Sequence, residues 1–231
     1  MIKLPRIVLT TLLLLQSLPQ TALSLDWKVG ETSSSQRFVS ASGTINGGDA
    51  QTLRKLLASP GKTTVVVFNS LGGSVTEAME MGRDIRRSNA ATIVPNGSRC
   101  LSACILAFIG GEVRVVSEKG QLGSHQFYWP EGEAPNSAQA TQISQSMSSA
   151  VLRHFLALGI DPEALTLIMD TPPDDMKVFP QELLERFKLT GQSPLPARPP
   201  VLPHGAKREG CPFPESYVNS DPLGLYPACR G

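Results

Sequence analysis

The pattern of apolar and polar residues changes its period several times between residues 37 and 95. The segment RFVSASGTI at 37–45 is typical of a strand, and Asn46-Gly47-Gly48 is typical of a turn. Asp49 is expected to cap the helix that follows, because its side chain can accept from an unpaired backbone N–H. The apolar residues that share one face of this helix are Ala50, Leu53, Leu56 and Leu57.

A second strand and a second helix follow directly. The run TTVVVFNS at 63–70 shows no alternation, which indicates a strand covered on both faces, and Gly72-Gly73 is expected to end it. Another short strand is predicted at 91–95. The helix between these strands has apolar residues at helical spacing, namely Val75, Ala78, Met79, Gly82 and Ile85. This order of elements predicts an α/β fold in which crossover helices connect the strands of a parallel sheet.

The remaining elements complete one domain. We expect an apolar helix from Cys100 to Gly110-Gly111, strands at 112–117 and near 123–128, and a long helix at 137–158. The apolar positions of the long helix are Ile143, Met147, Ala150, Val151 and Phe155. Two shorter helices are predicted, one from Asp161-Pro162 through Ile168 and one at 180–188. The proline-rich run SPLPARPPVLPHG cannot continue a core, so the sequence predicts one domain at 37–190 and a tail at 191–231.

The first 24 residues are typical of a secretory signal peptide. Lys3 and Arg6 precede an apolar stretch at 7–15, and Ala22-Leu23-Ser24 places small residues at the two positions that a signal peptidase recognises. The apolar stretch is too short to span a bilayer, which needs roughly 20 residues. We therefore expect an exported chain, periplasmic or secreted, without a stable membrane span after cleavage.

Export changes how the four cysteines are interpreted. An even number of cysteines in an oxidising compartment favours disulfides. A bridge between Cys211 and Cys229 would pin the tail to itself. Cys100 and Cys104 are either a pair of small buried residues or a second bridge, and the bridge requires the helix to begin after Cys100.

The formal net charge of +1 and the mixed order of basic and acidic residues exclude a polycationic surface. Nucleic acid is therefore not expected as a partner. We assign no metal site and no cofactor from the sequence.

Ser102 is a candidate nucleophile at the start of the apolar segment CLSACILAFIGG. A serine hydroxyl needs a base, and the sequence holds three histidines. His154 is expected on the flank of the long helix and His204 in the tail, whereas His125 lies on a predicted strand that follows the Ser102 helix. We therefore pair His125 with Ser102 as its general base.

Attack by Ser102 on a carbonyl carbon would create an oxyanion, which needs hydrogen-bond donors. Gly72-Gly73 lies between a buried strand and a helix, where a glycine lets the main chain approach a ligand. The amide of Ala103 is expected in the first turn of the next helix. Gly73 and Ala103 are therefore the candidate oxyanion donors.

Three segments, FNSLGGSVTEAMEMG, CLSACILAFIGG and LGSHQF, resemble the Clp protease proteolytic subunit and its relatives in the crotonase-like superfamily when taken in this order. The resemblance runs from about Arg37 to Leu189 and implies a spiral of β-β-α units. It implies the roles already given to Ser102, His125, Gly73 and Ala103, and association of subunits through the 137–158 helix. The export signal and the cysteine-flanked serine resemble those of exported Clp-protease-like proteins.

The resemblance also implies an aspartate that orients the histidine. Two neighbours compete for this role: Asp174 is favoured by counting forward from Asp170-Thr171, and Asp175 by counting back from PQELLERF. At most one of them can serve. Leu71 departs from the family, which has a proline at this position.

Three functions follow from the sequence. The first is a serine hydrolase, a peptidase that acts on peptide or protein substrates as a homo-oligomer. The second is a crotonase-like enzyme that binds a thioester and leaves the serine idle. The third is an inactive scaffold or binding protein. The absence of a recognisable nucleotide-binding motif and the export signal both count against the second.

Overall fold

The computed structural model describes residues 24–33, 35–59, 61, 63–128 and 135–193. The leader, the proline-rich tail and the Cys211–Cys229 pair lie outside these residues. Within them the order of elements is β1(Asp26–Glu31), β2(Arg37–Ile45), α1(Asp49–Ala58), β3(Thr63–Gly73), α2(Val75–Ser88), β4(Ala91–Val94), β5(Arg99–Leu101), α3(Cys104–Phe108), β6(Val113–Val116), β7(Gln121–Ser124), α4(Ser137–Ala157), α5(Glu163–Asp170), β8(Lys177–Val178), α6(Gln181–Arg186) and β9(Gly191–Gln192).

The sheet is mixed rather than parallel throughout. Its inner strands pair in parallel, as the alternation of strands and helices predicts. Three short outer strands pair antiparallel: β1 with β2, β8 with β7, and β9 with β6. The apolar pattern did not reveal these outer strands, because two of them are two residues long and all of their ends are solvent-exposed.

Two strands, β4 and β5, share one edge of β3, so the sheet has two branches beyond β3. β2 pairs along the whole of one edge of β3, so the remaining strands must share the other edge. β4 pairs with Val65–Val67 near the start of that edge, and β5 pairs at Ser70 near its end. One branch continues from β4 to β6, and the other continues from β5 to β7. The second branch carries both Ser102 and His125, each one residue beyond the end of its strand.

The core lies between this sheet and helices α1, α2 and α3. All five residues of α3 are buried, which explains why its sequence is apolar without periodicity. α2 and α3 approach closely, since a Cβ at Gly82 would collide with the carbonyl oxygen of Leu106, and one at Gly110 with the Gly82 carbonyl. The predicted core face of α2 is confirmed at Ala78 and Met79, among others.

Three sequence predictions of local structure are corrected here. The apolar helix that ends at Gly110-Gly111 was expected to begin at Cys100, but Cys100 belongs to β5 and α3 begins at Cys104. Asp49 does not cap α1: it is the first helical residue, and the N-cap is Gly48, which has no side chain. The Ala50 amide in the first turn donates to Glu77 Oε2 at 2.9 Å. The Asp49 carboxylate instead accepts from the Asn46 amide and from the chain before β1. The strand β3 also continues through Gly72 and Gly73 instead of ending before them.

Arg114 is a buried cation that anchors the end of the domain. Its side chain is 1 % exposed and donates to the carbonyl oxygens of Leu189, Gly111 and Lys188 at 3.2, 3.0 and 2.8 Å. Burial lowers the pKa of Arg114 to about 10, so the guanidinium remains charged at neutral pH. It ties the segment after α6 to the sheet branch that carries β6.

Candidate active site

Ser102 lies in a strained turn between β5 and α3. Its φ of 53° is in the left-handed region, which a residue with a side chain rarely adopts. The turn is held on both sides: the Ser102 amide donates to the Gly123 carbonyl at 2.9 Å, and the Ser102 carbonyl accepts from Ser124 Oγ at 3.3 Å. Such a conformation costs on the order of 1–3 kcal/mol and persists where the surroundings enforce it. Strain of this kind is concentrated at functional sites, where it aims a side chain.

Gly72 packs directly against this turn. A Cβ at position 72 would lie 2.7 Å from the Cβ of Ser102, 2.8 Å from the Leu101 carbonyl oxygen and 2.9 Å from the Ala103 amide nitrogen. Its φ of 101° is also unfavourable for any other residue. Glycine is therefore required here for two independent reasons, close approach and backbone conformation.

A disulfide between Cys100 and Cys104 encloses Ser102. Cys100 is in β5 and Cys104 is the first residue of α3, so the helix begins after Cys100, as the bridge requires. The Cα atoms are 5.2 Å apart, within the usual range for a disulfide. Both cysteines are fully buried. The bond therefore links the strand and the helix on either side of the strained residue.

His125 was expected on a strand near 123–128, but β7 ends at Ser124 and His125 is the residue after it. His125 is 8 % exposed. Its Nδ1 lies 2.7 Å from the carbonyl oxygen of Gln126. Because a carbonyl oxygen only accepts hydrogen bonds, this contact assigns the proton to Nδ1 and leaves a lone pair on Nε2. That tautomer is the one a general base needs at Nε2. The ring also contacts Tyr128, with centroids 5.6 Å apart.

Gln126 fixes the chain that carries the histidine. Its amide donates to the Thr171 carbonyl at 2.9 Å, and its side-chain Nε2 donates to the Met169 carbonyl. These bonds tie the segment after β7 to the end of α5. Gln126 thus holds in place the carbonyl group that accepts from His125.

Ser102 and His125 line the same cavity, together with Gly73 and Ala103. The cavity measures about 430 Å³ with its open mouth. The Ser102 hydroxyl makes no hydrogen bond to any described residue, His125 included. Much of the remaining lining is apolar, from Val75, Ile105, Leu106, Phe127, Val151 and Ile168. All four residues predicted for the nucleophile, base and oxyanion donors are therefore brought to one cavity.

The amide of Ala103 has no hydrogen-bond acceptor among the described residues, although Ala103 is only 4 % exposed. Ala103 is the N-cap of α3, and amides at the start of a helix have no acceptor within it, so this donor can serve a group in the cavity that Ala103 lines. The neighbouring carbonyls of Ser102 and Ala103 are used, since they accept from the amides of Ile105 and Leu106. An unpaired donor beside a serine hydroxyl is the arrangement that an oxyanion site requires.

Asp174 and Asp175 lie elsewhere. Both side chains are exposed, and neither lines the cavity or bonds to His125. Asp175 accepts from the Met176 amide at 2.7 Å. Their loop begins at Thr171, whose carbonyl accepts from the Gln126 amide, so the loop starts beside the site although neither carboxylate bonds to the histidine.

His154 is a buried residue of α4, not a flank residue as expected. It is fully buried, and its Nε2 donates to the Leu106 carbonyl at 2.9 Å. Burial lowers the pKa of His154 to about 4, with a smaller contribution from the positive charge of Arg83. His154 is therefore neutral at physiological pH and supports α3 from behind the cavity.

Sequence reasoning missed the functional part of Gln126 and the contact between Gly72 and Ser102. Gln126 stands beside His125 in the quoted segment LGSHQF, but a main-chain carbonyl has no sequence signature. The left-handed conformation of Ser102 was also not predicted. The serine and cysteine run CLSAC gives no sign of positive φ, which is most often associated with glycine and asparagine.

No protein-family profile matches this chain, and no curated protein matches it at a significant level. Solved structures do match. A mutant of ClpP1 from Listeria monocytogenes aligns at a TM-score of 0.51 with 18 % identity, over 66 % of this chain and 88 % of that one. A mutant of the membrane-bound stomatin-specific protease 1510-N aligns at 0.48 with 14 % identity, over 65 % of this chain and 75 % of that one. The first comparison shows that this chain has a ClpP-like fold.

Two kinds of feature are absent from the described part of the chain. No helix there has the length and apolar character needed to cross a membrane. No three His, Cys, Asp or Glu side chains of the described residues come together as a metal-binding group.

Proposed function

We propose that this protein is an exported serine hydrolase, a peptidase, with Ser102 as nucleophile and His125 as general base. The observation that carries the proposal is the joint placement of Ser102, His125, Gly73 and Ala103 around one cavity, with Ser102 in a left-handed turn. Reactive serines of hydrolases on other folds also occupy strained strand-to-helix turns that expose the hydroxyl. The ClpP-like fold is compatible with this chemistry.

In the proposed reaction, His125 Nε2 removes the Ser102 hydroxyl proton while Oγ attacks the carbonyl carbon of a peptide bond. The Gly73 and Ala103 amides donate to the oxyanion that forms. The imidazolium then protonates the departing amine, and a water molecule, activated by the same imidazole, hydrolyses the acyl-enzyme. The apolar lining favours a substrate with an apolar side chain next to the bond that is cleaved.

The Gln126 carbonyl takes the part of the orienting aspartate in this proposal. It accepts the Nδ1 proton and keeps Nε2 free for Ser102. Unlike a carboxylate, a carbonyl carries no net charge, so it stabilises the imidazolium less. We therefore expect a slower enzyme than one with a complete Ser-His-Asp triad.

Export is part of the proposal because the leader-like segment at 1–24 and the buried disulfide agree on an oxidising compartment. Structural disulfides are rare in the reducing cytosol. A periplasmic or secreted location is tested by cell fractionation with and without residues 1–24. Retention of the full chain in the cytosol would contradict it.

Self-association through α4 is the second part of the proposal. Residues 136–146 of this region are almost all exposed, and Ile143 is 39 % exposed in the half of α4 that precedes its buried residues. An exposed apolar residue on such a helix favours a partner surface, and a second copy of this chain supplies one. Ile143→Glu is expected to lower the mass measured by light scattering, whereas Ser144→Glu at an exposed neighbouring position serves as the control. An unchanged mass with Ile143→Glu would contradict this part.

Turnover of a fluorogenic peptide library by the mature protein tests the hydrolase assignment. The wild type and a Ser98→Ala control should cleave peptides, and Ser102→Ala should lose at least about 10³-fold in kcat/KM. Ser98 is a suitable control because it lies in a turn before β5, outside the cavity lining. Turnover that survives Ser102→Ala, or a folded wild type that cleaves no member of the library, would overturn the assignment.

Two observations favour a second candidate, an inactive scaffold. The Ser102 hydroxyl is not bonded to His125, and Asp174 and Asp175 do not reach the histidine. Nucleophile and base are often further apart in the unliganded state and come together only with substrate, so the hydrolase remains the conclusion. The scaffold would retain self-association through α4 and lack Ser102-dependent turnover.

A further inference from the structure

Asp49 is a buried carboxylate at the start of α1. It is 2 % exposed and accepts four hydrogen bonds. Its donors are Ser24 Oγ at 2.8 Å, the Leu25 backbone nitrogen at 3.4 Å, Trp27 Nε1 at 3.2 Å and the Asn46 amide at 2.8 Å. Three of the four belong to the segment at 24–27, so Asp49 is the point at which the beginning of the folded domain is attached.

No Lys, Arg or His of the described residues forms an ion pair with Asp49, whereas the other buried acid, Asp84, is paired with Arg54 and Arg87. A buried carboxylate without a cation is costly, because desolvation disfavours the charged form. Hydrogen bonds and the positive end of α1 offset part of this cost. Of the four donors, only the backbone nitrogen of Leu25, 3.4 Å from Asp49 Oδ2, would become a cation in a chain that begins at Leu25.

Leu25 is also the residue at which the leader is expected to end. Ala22-Leu23-Ser24 predicts cleavage after Ser24, and this prediction uses only the size of residues 22 and 24. Independently, the Leu25 side chain is 5 % exposed and its nitrogen faces Asp49 Oδ2 within the fold. The leader pattern and the position of the Leu25 nitrogen therefore point independently to the Ser24–Leu25 bond.

We propose that cleavage of the Ser24–Leu25 bond creates an α-ammonium group on Leu25 that forms a buried ion pair with Asp49. Water is consumed in the hydrolysis: the carboxylate remains on Ser24 with the leader, and the amine remains on Leu25, where it takes up a proton at neutral pH. Cleavage removes the Ser24 hydroxyl from Asp49, and the neutral Leu25 amide that donates to Asp49 becomes a charged donor, which strengthens the contact that remains.

The ion pair completes the attachment of β1 to the domain after export. Asp49 also accepts from Asn46, and the preceding residue Ile45 accepts from the Ser74 amide at 2.8 Å. Ser74 follows Gly73, so the turn that Asp49 holds is adjacent to the candidate site. The proposal itself concerns folding after export and does not depend on Ser102 being a nucleophile.

The N-terminus of the exported protein, produced from the full chain with its own leader, is the first test. Intact-mass and N-terminal sequencing should give Leu25 as the first residue. A mature chain that begins at another residue would overturn the proposal.

A four-variant comparison tests the ion pair. Chains that begin at Leu25 and at Gln20, both folded under oxidising conditions, are compared with and without Asp49→Asn. Asp49→Asn should lower the melting temperature by at least about 4 °C more in the Leu25 chain than in the Gln20 chain, whose ammonium group lies five residues away. Asp26→Asn is the matched control, because Asp26 is an exposed acid next to Leu25 that pairs with Lys28. An equal effect of Asp49→Asn in both chains would overturn the proposal.

A second measurement avoids variants that fail to fold. Reductive methylation with formaldehyde and a borohydride labels amines, and peptide mapping separates Leu25 from the lysines. We expect the Leu25 amine of the native mature protein to react at least about tenfold more slowly than in urea, because it is buried and paired. Reaction at the same rate in both states would contradict the ion pair.

Discussion

The Nδ1 of His125 lies 2.7 Å from the carbonyl oxygen of Gln126, and this contact fixes the tautomer of the candidate base. The carbonyl is itself held in place, because the Gln126 amide and side chain donate to the Thr171 and Met169 carbonyls at the end of α5. The orientation of the histidine is thus supplied by the main chain next to it.

Asp174→Asn, Asp175→Asn and the double variant are expected to retain activity within about threefold of the wild type, because neither carboxylate contacts His125. Loss of the aspartate of a working triad costs about 10⁴-fold in kcat. Steady-state kinetics with the best substrate of the peptide library measures the difference. A loss near the larger figure in either single variant would show that the aspartate reaches the histidine in the working enzyme.

Gly72→Ala is expected to destabilise the protein and to abolish reaction at Ser102, since the new Cβ would lie 2.7 Å from the Cβ of Ser102. Gly97→Ala is the matched control: Gly97 also has positive φ, 74°, but no atom lies within 4 Å of the position its Cβ would take. The control should lose only about 1–2 kcal/mol of unfolding free energy and keep its activity. Urea unfolding and kinetics compare the two. Equal losses in both variants would mean that contact with Ser102 is unimportant.

The Cys100→Ser, Cys104→Ser double variant is expected to lose about 2 kcal/mol of unfolding free energy, the entropic value for so short a loop. Activity should fall further than stability alone explains, because the bond joins the two elements that flank Ser102. The native disulfide should resist mild reductant, since both cysteines are 0 % exposed. Thiol counting before and after denaturation checks this. Rapid reduction of the folded protein, or an unchanged free energy in the double variant, would contradict the structure.

His154 is expected to make the protein acid-sensitive. Its pKa is about 4 in the folded state and 6.5 in an unfolded chain. Above pH 6.5 His154 is unprotonated in both the folded and the unfolded state. Below pH 6.5 the unfolded chain binds the proton first, so the free energy of unfolding falls as the pH drops towards 4. Below pH 4 both states bind the proton, and the contribution of His154 changes no further. The full loss is about 3 kcal/mol. His154→Gln keeps a donor for the Leu106 carbonyl and should show a smaller fall in melting temperature between pH 7.5 and pH 4.5; an identical fall would contradict the prediction.

The strands and helices that were predictable are those with a buried face. β2 was predicted at its observed bounds, and the core face of α2 was predicted from its periodicity, because burial on one side imposes a period on the sequence. Ser102 and His125 were predicted as nucleophile and base from the chemistry of their side chains and from their order along the chain. The outer strand β8 was not predictable, since Lys177 and Val178 are both exposed and no burial pattern marks them.

The orientation of the site was beyond sequence reasoning for a different reason. Asp174 and Asp175 were proposed from position along the chain, but the direction of an exposed side chain in a loop depends on local turns, such as the bond from the Asp175 amide to the Pro172 carbonyl. The group that orients His125 is the main-chain carbonyl of Gln126. Every residue has such a carbonyl, so the sequence does not indicate which one has this role. The four-residue spacing of Cys100 and Cys104 left the disulfide open until the start of α3 was known.

Covalent labelling by a fluorophosphonate, followed by intact mass and peptide mapping, tests the central claim most directly, because the probe reports an activated serine without knowledge of the substrate. The account predicts one adduct per chain at Ser102, absent in Ser102→Ala, slowed at least about 10³-fold in His125→Ala and unchanged in Ser98→Ala. A folded protein that remains unlabelled, or a Ser102 adduct that forms at the same rate without His125, would contradict it.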